Sequence, residues 1–272
     1  MIETISIVAA AVAYLVASVC YGAHVLLRTP RLARMARFGT LAGVLMHTLA
    51  IGVHCAVTHR TPLTTPSDTL SASAWAIAIV YLILDFAVRP QPVALGAVAM
   101  PIALFCLFAG SAMHHSGVAA PANADLNNSL ISLHVMAILF AFGLLVLAFG
   151  CAVLYLMQHR MIKKKQAGRL FGKLPPLTSI DRLGFGLVAF AFPMLTIGLV
   201  CGAIKVSGGG FPIGWLTDPK VLLSAALWSV EGIYLALHVL AHWRGPRANY
   251  ILIGGMLIAV AAYFAPTAVH KF

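Results

Sequence analysis

The chain has 272 residues, of which 61% are hydrophobic and 9% charged, against about a quarter charged in a soluble domain. Too few polar residues remain to cover a globular surface, and the mean hydropathy is +0.95. This excludes a cytosolic enzyme, a disordered protein and a secreted disulfide scaffold, and implies an all-α polytopic membrane protein whose first partner is the lipid bilayer. Eighteen basic residues against seven acidic ones give a net charge of +11. In a soluble protein that balance points to nucleic acid. In a membrane protein it reports topology, and no nucleic-acid partner is expected.

A helix needs about 20 apolar residues to cross a bilayer. Eight such stretches follow in chain order: Ile5 to Leu27, Phe38 to Val57, Leu70 to Val88, Val93 to Gly110, Ser129 to Met157, Leu183 to Ile204, Val221 to Ala241 and Tyr250 to Val269. Arg89-Pro90-Gln91-Pro92 predicts a tight turn between the third and fourth. The fifth run is long enough to tilt or emerge. Strands are excluded, because open edges leave backbone groups unpaired in lipid.

The odd-numbered connections hold fourteen of the eighteen basic residues, seven of them between Arg160 and Arg182. The positive-inside rule places these connections in the cytoplasm and both termini on the outer, periplasmic side. Glu3 and the lack of a basic leader segment predict that the first span stays in the mature protein. All five cysteines fall in or beside spans, and no C-x-x-C pair exists. That argues against a thiol redox relay and against covalent haem attachment.

Eleven histidines outnumber the seven acids. Ionisable groups inside a membrane are costly and mark function by default. His59, His114, His115 and His159 lie in connections or at span ends and read as solvated. His24, His54 and His242 lie near interfaces and read as hydrated helix-end residues. His47, His134 and His238 lie deeper, and neutral imidazoles at several depths suit metal or haem ligation. A bare divalent site needs carboxylates or thiolates as well. Only Glu231 lies deep, two turns before His238, where it carries a proton or pairs with that histidine in the competing reading. Haem is therefore favoured over a bare metal.

The sixth connection runs from Lys205 through Gly208-Gly209-Gly210 and Trp215 to Asp218-Pro219-Lys220. Aromatic rings there suit stacking on a macrocycle, and the lysines suit carboxylates. An ordinary interfacial aromatic belt is the alternative, and composition favours it.

Three stretches carry a resemblance to a known family. They are Ser132-Leu-His134-Val-Met-Ala-Ile-Leu-Phe-Ala-Phe-Gly, Leu174-Pro-Pro-Leu-Thr-Ser-Ile-Asp-Arg182, and the segment from Gly214-Trp215 through Trp228 and His238 to Gly245. The second half of the chain resembles the cytochrome c assembly family, the CcsA/CcmC-type haem-handling membrane proteins, in its HemX-like branch. The resemblance implies non-covalent, b-type haem held axially by histidines flanking a tryptophan-rich loop. Other assembly proteins or an apocytochrome c are the partners it implies. His134 matches the outer histidine before the loop and His270 the one after it. His238 matches the deeper histidine, with His47 as its partner. The loop keeps Trp215 and Asp218-Pro-Lys but lacks the run of several tryptophans.

The expectation is a single integral-membrane domain over residues 1–272, with 128–270 as the family-like core and 1–127 as additional helices. It is expected in a bacterial inner membrane, binding haem with no catalytic chemistry. Two other classes stay open. One is a proton- or ion-coupled transporter using Glu231 and His238. The other is a membrane regulator or scaffold docking through the Arg160–Arg182 connection.

Overall fold

The computed structural model describes residues 1–58, 65–88, 92–114, 129–165, 175–207 and 214–266. Among them are eight helices long and apolar enough to cross a membrane, and no strand. They are α1 (Ile2–Leu27), α2 (Pro30–Thr58), α3 (Pro66–Ala87), α4 (Val93–His114), α5 (Ser129–Lys163), α6 (Leu177–Ser207), α7 (Pro219–Leu240) and α8 (Pro246–Phe264). A 3-10 turn, Trp215–Thr217, precedes α7. His59, His115, His270, the Gly208–Gly210 run and the Arg89–Gln91 turn lie outside the described residues.

The helix centres follow the apolar runs, but two starts do not. α2 begins eight residues before Phe38, and α6 six residues before Leu183. Arg31, Arg34, Arg37, Asp181 and Arg182 therefore ride on helical turns. Hydropathy marks the part of a helix suited to lipid, whereas hydrogen bonding carries the helix on into polar surroundings. Local chemistry sets the starts of α3 and α7. Thr65 and Asp68 form a reciprocal capping box, with Pro66 in the first turn. Asp218 caps α7 by accepting the Lys220 amide at 3.0 Å, again followed by a proline.

The chain divides into two compact units. The first holds α1 to α4, with residues 160–175. Here α1 packs on α2 and α4, and α3 packs on α4. Its interior carries aromatic and small side chains: Tyr14, Tyr21 and Tyr81 are fully buried, and the Tyr21 and Tyr81 rings meet edge-to-face at 5.3 Å. The second unit holds α5 as far as His159, then α6, α7 and α8. Large apolar side chains such as Val12, Phe105, Phe190 and Leu257 stay exposed, as lipid-facing positions require. All five cysteines are free.

Candidate haem-ligand sites

In the first unit His47 is fully buried. Its Nε2 lies 3.0 Å from the Ser71 hydroxyl on α3, and its Nδ1 lies 3.4 Å from the Tyr14 hydroxyl on α1. Both ring nitrogens are thus engaged, and the imidazole ties three helices together. His54, two turns on, meets Glu3 of α1 at 2.8 Å. His24 Nδ1 donates to the Thr29 carbonyl at 3.0 Å, closing the end of α1. Arg37 is more than a topology charge. Its Nε sits 2.7 Å from the carboxylate of Asp85, whose side chain is 1% exposed.

In the second unit His134 lies in the second turn of α5 and faces α6. Its Nδ1 is 2.6 Å from the Gly198 carbonyl oxygen. A carbonyl only accepts, so Nδ1 carries the proton and Nε2 keeps its lone pair. Gly202, one turn past Gly198, makes room for the ring: a Cβ there would lie 2.9 Å from Nδ1 and 3.0 Å from Cε1. The GLVCG segment is thus a groove cut for an imidazole. A ligating histidine commonly donates its second N–H to a carbonyl or carboxylate, which fixes the tautomer and aims the bare nitrogen.

His238 lies near the C-terminal end of α7 on a buried stripe with Leu227, Glu231 and Tyr234. It is 9% exposed, and its Nδ1 is buried with no hydrogen-bond partner among the described residues. Its ring stacks on Phe185 of α6 at 4.3 Å and 18°. Glu231 is 3% exposed, and its Oε2 likewise has no described partner, so these two groups are not bonded through those atoms. A cavity of about 550 Å³ opens beside His238, lined also by Asp181, Arg182, Phe185, His242 and Arg244. That volume falls in the ordinary range for small-molecule sites.

His134 and His238 sit at opposite ends of this unit. Phe185 marks the level of His238 on α6 and Gly198 the level of His134. At 1.5 Å per residue these levels are roughly 20 Å apart, too far for both imidazoles to share one iron. His242 is the residue sequence reasoning missed: it lines the same cavity as His238. The signal is a second histidine four residues after His238, just past the end of α7.

Trp215 is half-buried in the 3-10 turn, and Asp218 is buried as the α7 cap. Trp228 is pinned to α6, stacking on Phe192 at 5.3 Å and donating to the Thr196 hydroxyl at 2.9 Å.

The family described as "Cytochrome C assembly protein" matches residues 65–271, three quarters of the chain. The chain belongs to the cytochrome c assembly family. Similar proteins include "Cytochrome c biogenesis protein CcsA" of Guillardia theta, 23% identical over 82% of this chain and 79% of that one. "Protein HemX" of Bacillus subtilis (strain 168) is 23% identical over 79% of this chain and 77% of its own length. CcsA of Synechococcus sp. (strain CC9605) is 25% identical over 74% and 73%. The family range takes in His134, Trp215, Asp218 and His238 and starts after His47.

Proposed function

We propose that this cytochrome c assembly family member handles haem, bound non-covalently as the b type, at two places in its second unit. His134 serves one and His238 the other. The observation that carries this reading is the state of His134: its proton is committed to the Gly198 carbonyl and its Nε2 is bare, the condition an axial ligand requires. Haem would supply an iron that accepts imidazole nitrogens, and His134 and His238 are the residues that would hold it. The chain supplies orientation and a water-poor setting. Phe185 holds the His238 ring plane, and Gly202 seats the His134 ring.

His47 is less suited than His134, because binding iron requires Nε2 to give up Ser71. Trp215 and Asp218 shape the segment entering α7. His270 remains the proposed partner of His134.

The charge distribution supports a bacterial inner membrane, with both termini outside and the Arg182–Arg244 end of the second unit in the cytoplasm. The chain forms one integral-membrane assembly in this reading and assigns no bond-making step to its own residues. An apocytochrome c or another assembly protein is the proposed recipient. The absorption spectrum of the full-length protein in detergent tests the reading. A Soret band that shifts on His134→Ala and on His238→Ala is expected. A Soret band no different from that of haemin in detergent alone overturns it.

A further inference from the structure

The His238 cavity has a second kind of chemistry besides an imidazole. Arg182 and Arg244 line it from α6 and from the segment after α7, and neither forms an ion pair among the described residues. His242 lines it too and brings further N–H capacity. The first turn of α6, at Leu177 and Thr178, forms part of the wall, and first-turn amides lack intrahelical acceptors.

One acid opposes these groups, Asp181. The balance can be drawn by magnitude. The α6 N-terminus and the α7 C-terminus each act as about half a charge of opposite sign, so they cancel. Two guanidiniums outweigh one carboxylate, which leaves a single positive charge with the histidines neutral. Phe185 and the His238 ring stacked on it give the lining a flat aromatic surface. The cavity thus combines an aromatic surface with cationic groups.

The backbone at the mouth is held in an uncommon shape. His242 has φ 53°, and Gly245 has φ 89°. The Trp243 amide reaches back to the Leu237 carbonyl at 3.0 Å. A left-handed conformation is sterically disfavoured for a non-glycine residue. A hydrogen-bonding side chain kept at such a position is a hypothesis of function.

We infer that Arg182 and Arg244, with His242, recognise the carboxylates of a planar macrocycle inserted beside His238, so that its propionate edge faces the cytoplasmic mouth. This rests on the haem reading above and adds the direction and charge of the ligand. Ferric haem, whose two carboxylates outnumber the excess charge of its iron by one, complements the lining. Bidentate guanidinium–carboxylate pairing fixes orientation as well as affinity.

The test titrates full-length protein carrying His134→Ala, so that only the His238 cavity is read, with haemin and with haemin dimethyl ester. The Soret band reports binding. Haemin is expected to bind at least about tenfold more tightly than the ester. Arg244→Gln and Arg182→Gln should each weaken haemin about tenfold and leave the ester unchanged, the ester certifying a folded pocket. Arg244→Lys should recover part of the loss. Equal affinity for acid and ester, with indifferent arginine variants and a His238-dependent band, overturns this inference alone. A Soret band unchanged from that of the free compound in detergent, for both compounds and in both this variant and the unsubstituted protein, overturns the haem reading and this inference together.

Discussion

The His134 imidazole and the Gly198 carbonyl, 64 residues apart in sequence, meet at 2.6 Å across the α5–α6 contact. The contact requires both the glycine at 202 and the helical path of α6 on either side of it. A histidine that merely glued helices together would be served by any acceptor. This one is seated in a groove that leaves the distal nitrogen free, and the first prediction follows from that seat.

Gly202→Ala would place a methyl carbon 2.9 Å from Nδ1. The ring must move or the helices must part, at a cost of about 1–3 kcal/mol by the usual scale of overpacking. In a His238→Ala background, the haem spectrum of Gly202→Ala should approach that of His134→Ala. Gly254→Ala, whose added carbon meets nothing within 4 Å, should leave the spectrum unchanged.

Ser71→Ala tests the engagement of His47. Removing the hydroxyl leaves a fully buried imidazole nitrogen without its 3.0 Å partner. An orphaned buried polar group costs about 1–3 kcal/mol. Thermal denaturation in detergent should show lower stability, with the haem spectrum unchanged. A new or stronger low-spin band in Ser71→Ala would instead show that freeing Nε2 makes His47 a ligand.

Much of this is legible in the sequence, and for a clear reason. Each span is a contiguous apolar run, so span number and helix class follow from local hydropathy. The placing of His134 on α5 and His238 on α7 follows from the same runs. The Asp218-Pro219 start of α7 is also local chemistry, a capping residue followed by a first-turn proline. What stays hidden depends on neighbours distant in sequence. Nothing in the chain announces that Arg37 pairs with Asp85, so Arg37 reads as a topology marker. Arg182 and Arg244 read the same way for the same reason. The His242 side chain sits past the apolar run and so reads as hydrated, although the cavity it lines begins where that run ends.

The Arg37–Asp85 pair makes a sharper prediction than its partial exposure suggests. The Asp85 side chain is 1% exposed while that of Arg37 is 29% exposed. Cutting Arg37 to Met leaves a carboxylate with its charge partner removed in an apolar surround, whereas cutting Asp85 to Asn leaves a guanidinium that reaches water. Breaking fully buried pairs costs about 3–5 kcal/mol. Arg37→Met should therefore approach the lower part of that range, and Asp85→Asn should cost clearly less. The double variant Arg37→Met with Asp85→Leu should recover most of the loss. Denaturant midpoints in detergent, compared as a double-mutant cycle, check the order of the three.

Orientation can be read without any ligand. If the connections rich in arginine and lysine face the cytoplasm, a reporter active only outside the inner membrane should work when fused after Pro266 and fail when fused after Lys165. An active reporter at Lys165 would invert the topology and turn the Arg182–Arg244 mouth outward. The cavity itself would be unchanged, but macrocycle entry would then come from the periplasm.

The left-handed residue at the cavity mouth sets stability against binding. His242→Gly removes a Cβ from a backbone at φ 53°, and glycine adopts that conformation without steric cost. The folded state should gain about 1 kcal/mol, reduced by the extra freedom glycine gives the unfolded chain. The same change deletes an N–H donor at the mouth beside Arg182 and Arg244. The variant is therefore expected to melt no lower than the parent and to bind haemin more weakly, with dimethyl-ester binding intact. His242→Asn, which tolerates the left-handed region and keeps a donor, should hold affinity between the two. A His242→Gly protein that binds haemin as tightly as the parent would show that the strained backbone serves the turn into α8 rather than the ligand.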